Sequence, residues 1–271
     1  MEVVRYAIID GAIESELLSF LQDINPPHCC LYSEPIQPDL VALAPYLVEV
    51  TPEVDVWLSV KDTPWGIYLT THASMNTLRQ HLRKYLQVLL PDETKPVLFR
   101  FYDPRNIWDF LSVLSEWETH LFFTDIQCIK SSYPCEKLIS FSKLHEKYPS
   151  PCHRVQKVMR FSREQYGKFE VIFEKRYISE LADYMFKNLH DIDRKELKIA
   201  NDLFYYLRGI GIADRRSIEG ISKLVVEKNI YEINDIPFSY RHILEFGDEP
   251  GSYRAEKLLM QVYGKIPRWG E

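Results

Sequence analysis

The chain has 271 residues, 46% of them hydrophobic, with a formal net charge of −6. That apolar content supplies a packed core and excludes a disordered chain. No apolar run approaches the roughly 18–20 residues that span a bilayer, and Met1-Glu2-Val3-Val4-Arg5 lacks the basic start and apolar run of a signal peptide. The expected compartment is the cytoplasm, without stable membrane association.

Charge is unevenly placed. Residues 1–125 carry 8 Lys and Arg against 18 Asp and Glu, while 126–271 carry 25 against 21, and the stretch 130–176 carries 11 against 5. Such asymmetry suggests domains with different surfaces. Among the cysteines, Cys29 and Cys30 are adjacent, Cys128 and Cys135 lie seven apart, and Cys152 precedes His153. These spacings give neither a disulfide framework nor the C-x2–4-C pairs of a zinc site, so buried thiols, no metal and no cofactor are expected.

In chain order, Val3–Ile9 is an apolar run closed by Asp10-Gly11, a strand and a turn. Ile13, Leu17, Phe20, Leu21 and Ile24 recur at helical spacing up to Asn25-Pro26-Pro27. Cys29–Tyr32 reads as a strand, Pro38–Leu43 as a short helix and Tyr46–Val50 as a strand. Thr51-Pro52 then opens a helical turn expected to carry Val56, Trp57 and Val60. Gly66–Thr71 alternates as a strand. Ser74 caps a helix with Leu78, Leu82, Tyr85, Leu86 and Leu89 on one stripe, ended by Pro91. Val97–Tyr102 is the next strand. Asp103-Pro104 starts a helix whose buried face is expected to be Ile107, Trp108, Leu111 and Leu114, and His120–Ile129 closes the series as a strand. This alternation predicts an α/β N-terminal lobe with a mixed or mostly parallel sheet and flanking helices.

The second half changes character. Residues 129–160 contain Pro134, Pro149 and Pro151 without firm periodicity, which suggests a connector with a few strands. Ser162-Arg163-Glu164-Gln165 matches a capping box, and one or two helices should run from there to His190. Further helices are expected over Leu197–Leu207, from Asp214 or Ser217 to Asn229, and over Ala255–Tyr263. The division is therefore 1–128 as the α/β domain, 129–160 as connector and 161–271 as a mainly α-helical lobe.

No phosphate-binding loop, metalloprotease helix or nucleophile elbow is present. Gly209-Ile210-Gly211 follows a helical pattern and fits a helix C-terminus better than a dinucleotide fingerprint. His72 and His81, nine apart, suit solvated or capping roles better than metal ligation. Within Arg100-Phe101-Tyr102-Asp103-Pro104-Arg105, strand geometry would place Arg100 and Tyr102 on one face. Arg100, Asp103, Arg105 and His72 would give a phosphate-handling or hydrolytic enzyme if they converged in an open pocket. Asp103 as a cap, with both arginines paired to carboxylates, is the structural alternative. The basic stretch 130–176 is interleaved with Tyr133, Phe141, Tyr148, Phe161, Tyr166, Phe169 and Phe173. That pattern suits single-stranded nucleic acid or a protein-binding face, and the acidic chain as a whole argues against nucleic acid.

Five segments, in order and spacing, carry a resemblance. They are Tyr6-Ala7-Ile8-Ile9-Asp10-Gly11-Ala12, Ala44-Pro45-Tyr46-Leu47-Val48, Trp65-Gly66-Ile67, Leu78-Arg79-Gln80-His81-Leu82-Arg83 and Phe99-Arg100-Phe101-Tyr102-Asp103-Pro104-Arg105. Together, over roughly residues 5–125, they resemble the adaptor (effector-chaperone) domain encoded beside type VI secretion toxins and spike proteins. The resemblance implies binding without catalysis: the partner is the N-terminal region of a cognate toxin, and the spike protein or its tip protein is a possible second contact. The anchors singled out for such a partner are Trp65, Tyr68, Arg100, Tyr102, Arg105 and Trp108. Core packing for Trp108 and Tyr68, and an internal ion pair for the arginines, stand as their structural alternatives.

Overall fold

The computed structural model describes residues 3–149, 158–186 and 194–266. The chain divides into two compact units, Met1–Glu170 and Val171–Glu271. Most of the basic stretch 130–176 falls within the first, so the charge asymmetry does not follow the division.

In the first unit, β1 (Val4–Asp10) leads to α1 (Leu17–Ile24), which Asn25 ends in the left-handed conformation. Next come β2 (His28–Cys30), α2 (Pro38–Val41), β3 (Pro45–Glu49), α3 (Pro52–Ser59) and β4 (Gly66–Thr71). They are followed by α4 (Met75–Leu82), β5 (Gln87–Leu89), β6 (Val97–Leu98), α5 (Ile107–Val113) and α6 (Glu116–Phe122). The unit continues with β7 (Ile126–Ser131), β8 (Lys137–Ser140), α7 (Ser142–Lys147) and β9 (Met159–Arg160).

Six strands form one sheet in the order β2-β3-β1-β4-β7-β8, and every pairing in it is antiparallel. This corrects the expectation of a mostly parallel or mixed sheet. Two features of the sequence misled. β1 is buried from Tyr6 to Asp10, and such a continuous apolar run is the usual mark of a parallel strand. It earns that burial as a central strand covered on both faces. The strand–helix alternation suggested crossover units, but α1, α2 and α3 have only 8, 4 and 8 residues. β3 and β4 do run parallel, with β1 inserted between them in the opposite direction. A second, small sheet, β6-β5-β9, contains one parallel pairing, β5 with β9.

One face of the large sheet is covered by α1 and α3, whose Leu17, Leu21, Val54 and Leu58 pack on Ala7, Ile9, Val48 and Trp65. Thr51 caps α3 through the Val54 N–H, as expected, but the expected stripe is corrected: Val56 and Val60 are exposed. Because the helix begins at Pro52, it is Val54 and Leu58, one turn apart, that face the sheet. Elsewhere in the unit an aromatic cluster forms. Phe110 sits 4.9 Å from Phe99, 5.0 Å from Phe122 and 6.1 Å from Phe161 between ring centroids.

Four more local expectations change. α4 ends at Leu82, and Leu89 belongs to β5 instead of the helical stripe. Only Val97 and Leu98 of the expected strand 97–102 are in a strand. The buried face of α5 is Ile107, Phe110 and Val113, leaving Trp108 half-buried. The expected strand 120–129 is split, because Ser115 and Glu118 form a capping box that starts α6 and leaves only Ile126 onward to β7.

α8 (Arg163–Met185) carries the division between the units along its length. Its start matches expectation: Ser162 N–H donates to the Gln165 side chain at 3.0 Å, and Gln165 N–H to Ser162 Oγ at 3.1 Å. Residues 187–190 of the expected helix, like Pro151, Cys152 and His153, lie outside the described residues. The second unit continues with α9 (Arg194–Gly209), α10 (Arg215–Glu227), α11 (Phe238–Glu245) and α12 (Gly251–Tyr263). Leu181, Leu203, Leu207, Ile221, Leu224 and Leu258 are in its core. Asp214 caps α10 through the Ser217 N–H at 2.9 Å. Gly211, at φ +82°, makes the tight turn after α9 that the glycine pair suggested. α11 had no counterpart in the sequence reading.

Candidate functional site

Three places carry the residues that matter. The first is a polar knot at the end of β1. Asp10 is buried there because β1 is central, and its carboxylate accepts the Ala12 N–H at 3.0 Å and a bond from the Arg100 guanidinium. Two glycines let the chain close around it. A Cβ on Gly11 would sit 2.4 Å from the Ala42 carbonyl oxygen, and one on Gly66, at φ +150°, 1.8 Å from that of Ile8. Tyr102 is buried and shares a side-chain hydrogen bond with Tyr32. Asp103 is buried and takes both prongs of the Arg105 guanidinium, Nε at 2.9 Å and a terminal nitrogen at 2.7 Å.

Burial pushes the Asp10 carboxyl above the ordinary carboxylate range although Arg100 pulls it down. Burial also raises Tyr102, helped by the Asp10 charge. On Arg100, burial works against the cation, but the Asp10 charge and hydrogen bond outweigh it and the pKa lies above the usual arginine value. Thus Arg100, Tyr102, Asp103 and Arg105 do come together, with Arg100 held by buried Asp10 and Arg105, itself exposed, held by buried Asp103. Arg100 and Tyr102 do not share a strand face, because 99–102 lies outside any strand. His72 does not join them. It is exposed just after Thr71, which opposes Val4, whereas Asp10 is at the other end of β1. At about 3.3 Å per residue the two ends are ~20 Å apart.

The second place is a groove of about 480 Å³ on the α3 face of the sheet. α3 covers that face over β3, β1 and β4, and the β7–β8 side is bare, so Leu138 is 58% exposed. Tyr68, Lys130 and Leu138 line up across β4, β7 and β8 as its floor. Arg5 bridges to Asp55 at 2.5 Å and lies over the Tyr68 ring, and Lys130 bridges to Glu136 at 2.7 Å. Tyr68 Oη donates to Asp55 at 3.4 Å. Burial, then the Asp55 charge, push the Tyr68 phenol up to about 12, against the opposing pull of Arg5. Trp65 is buried beside Tyr68, with 5.0 Å between ring centroids, and serves the core. Trp108 stands apart from the groove, with the Lys137 ammonium 4.5 Å from its ring.

The third place, in the second unit, was not anticipated. Phe238, His242 and Phe246 follow one another at four-residue spacing along and just beyond α11, with centroids 5.9 and 5.2 Å apart. Phe238 is 75% and Phe246 61% exposed. A sequence signal was available, since aromatic residues recurring at four-residue intervals mark one helix face, but Pro237 and the shortness of the segment concealed it.

Among the described residues no group of three or more His, Cys, Asp or Glu side chains gathers to hold a metal, and no helix is long and apolar enough to cross a membrane.

With this geometry in hand, the likeness to other proteins is confined to one region. Residues 5–121 match the model of a family described as a domain of unknown function, DUF4123. That span contains β1 from Arg5 onward through α5, all five segments that carry the resemblance, and the whole polar knot. It excludes β7, β8 and the second unit. No curated protein and no solved structure matches the chain.

Proposed function

We propose that the protein is a cytoplasmic adaptor that binds the N-terminal region of a cognate type VI secretion toxin and helps load it onto the spike complex, without catalysis of its own. The observation that carries this reading is the exposed aromatic row Phe238–His242–Phe246. A solvent-facing ladder of large rings costs solubility and is what a protein partner buries, at ~25 cal/mol per Å² before the cost of association. The match over residues 5–121 supports the same reading, because it covers the segments that resemble the adaptor domain. The pairing of each arginine of the polar knot with a buried aspartate and the distant His72 speak against the alternative of a phosphate-handling enzyme. Pairing of Lys130, Lys147, Arg163 and Lys168 with carboxylates speaks against nucleic-acid binding through 130–176.

The test is co-expression of the full chain with the toxin encoded beside it, followed by affinity capture. The toxin's N-terminal region should be captured with the chain, and Phe238→Ser with Phe246→Ser should reduce capture about tenfold or more. Both rings are largely exposed, so the unfolding midpoint should stay within about 0.5 kcal/mol of the parent's stability. Failure of every toxin segment to co-purify, while the toxin is still exported, overturns the proposal.

A further inference from the structure

β8 is one end of the large sheet, and its pairing with β7 fixes which backbone groups it leaves over. Phe141 N–H donates to the Gln127 carbonyl oxygen at 2.8 Å, and the register continues with Ile139 opposite Ile129 and Lys137 opposite Ser131. In an antiparallel ladder the hydrogen-bonded pairs recur at every second residue, so Lys137, Ile139 and Phe141 turn their backbone groups onto β7. Those of Leu138 and Ser140 therefore point away from the sheet. Both residues are exposed, and among the described residues no backbone group pairs with them.

The opposite edge is closed differently. Leu31 N–H donates to the Pro45 carbonyl oxygen at 2.9 Å, so by the same rule His28 and Cys30 are the outward residues of β2. The Cys30 carbonyl is taken by Arg79 Nε at 2.8 Å. Among the described residues no side chain does this for the backbone of Leu138 or Ser140.

Leu138 and Ser140 also share the groove face of the sheet: Tyr68, Lys130 and Leu138 form one row, and Thr70, Cys128 and Ser140 the next. A strand added beside β8 would set its residues opposite Leu138 and Ser140 on that face. An apolar side chain there would cover Leu138 and extend the floor of the groove. The alternate residues of such a strand would lie on the face of Lys137. From Lys137 to Lys147 the chain carries three lysines against one glutamate. Lys137 rests on the Trp108 ring, and Lys143 is exposed; neither meets a carboxylate among the described residues. A second copy of the chain would set one basic edge against another, and lysines commonly guard sheet edges against such self-pairing.

We propose that the free edge of β8 binds an extended segment of a partner protein as an added strand, and that this segment alternates apolar with acidic residues. Its backbone bonds Leu138 and Ser140, its apolar side chains pack on Leu138, and its carboxylates face Lys137.

The full chain is titrated into a short fluorescein-labelled peptide of alternating valine and glutamate, with a valine–lysine peptide as the control, and binding is read by anisotropy. The acidic peptide should bind saturably and the basic one at least tenfold more weakly. Leu138→Pro removes an outward N–H and no bond to β7, so it should weaken binding about tenfold or more with the urea midpoint unchanged. Leu138→Glu, which keeps the backbone intact and repels the peptide, should do the same and serves if proline disturbs the hairpin. Hydrogen exchange at the Leu138 and Ser140 amides should slow when the peptide is bound. No saturable binding up to millimolar concentration, equal binding of the basic peptide, or binding that both variants leave unchanged overturns the proposal. So does a dimer in sedimentation that Leu138→Pro dissolves, which would make a second copy the occupant. The peptide tests the edge by itself, so its outcome stands whether or not the toxin is captured.

Discussion

Arg100→Ala tests whether the polar knot is structural or a partner site. The Asp10 side chain is 2% exposed and that of Arg100 34%. Removing the guanidinium leaves a buried carboxylate that still accepts the Ala12 N–H. Breaking a buried pair in this way costs about 3–5 kcal/mol, and water entering from the one-third-open arginine side should bring the loss to about 2–3 kcal/mol. In the double variant Asp10→Asn with Arg100→Met no charge is stranded, so the loss should fall to about 1 kcal/mol and the two sites should couple strongly. Urea unfolding followed by tryptophan fluorescence is suited to this, because Trp57, Trp65, Trp108 and Trp117 all lie in the first unit.

The same variant has a pH signature. Burial already holds the Asp10 carboxyl above its ordinary value, and losing Arg100 removes the main pull in the other direction. A carboxyl with a raised folded pKa makes the native state the better proton binder, so its destabilising effect is absent below the unfolded value of ~3.9 and grows as pH rises through the folded one. The deficit of Arg100→Ala should therefore be smaller at acidic pH than at neutral pH. A variant as stable as the parent at neutral pH, yet defective in toxin capture, would refute the structural reading and return Arg100 to the partner surface.

Two further outcomes follow from the first unit. Gly66→Ala should cost about 3 kcal/mol or more, seen as a lowered urea midpoint or insoluble expression, because φ is +150° and the added Cβ meets the Ile8 carbonyl at 1.8 Å; a loss under about 1 kcal/mol would sink the packing argument. Tyr68→Phe should remove one phenol that ionises near 12 in the ultraviolet titration of the folded protein. Since the unfolded phenol ionises near 10, the stability linked to its raised pKa is whole below that pH and is lost as pH rises toward 12, so parent and variant should converge there.

Part of the candidate site was legible in the chain. Asp10-Gly11, Trp65-Gly66 and Arg100–Arg105 stood out, and the structure joins them in one knot because two glycines admit close backbone approach. The pairing of Arg100 with Asp10, ninety positions away, was not legible, since nothing local distinguishes it from an arginine facing solvent. Trp65 and Tyr102 looked like anchors for a partner, yet both are buried in the first unit. Composition cannot tell an aromatic that fills a core from one that greets a partner.

The sequence by itself determined what local chemistry determines. Thr51-Pro52, Ser74, Ser162 with Gln165, and Asp214 mark helix starts, because each satisfies backbone N–H groups a few residues away. The change from strand–helix alternation to helices is written in periodicity. Tertiary structure alone decided strand direction, because a strand buried on both faces has the same residue pattern whichever way its neighbours run. It decided which turn of α3 faces the sheet, left the β7–β8 side bare, and brought His145 against His120, twenty-five positions away. Those outcomes depend on long-range packing, where each residue's role is set by what the rest of the chain brings against it.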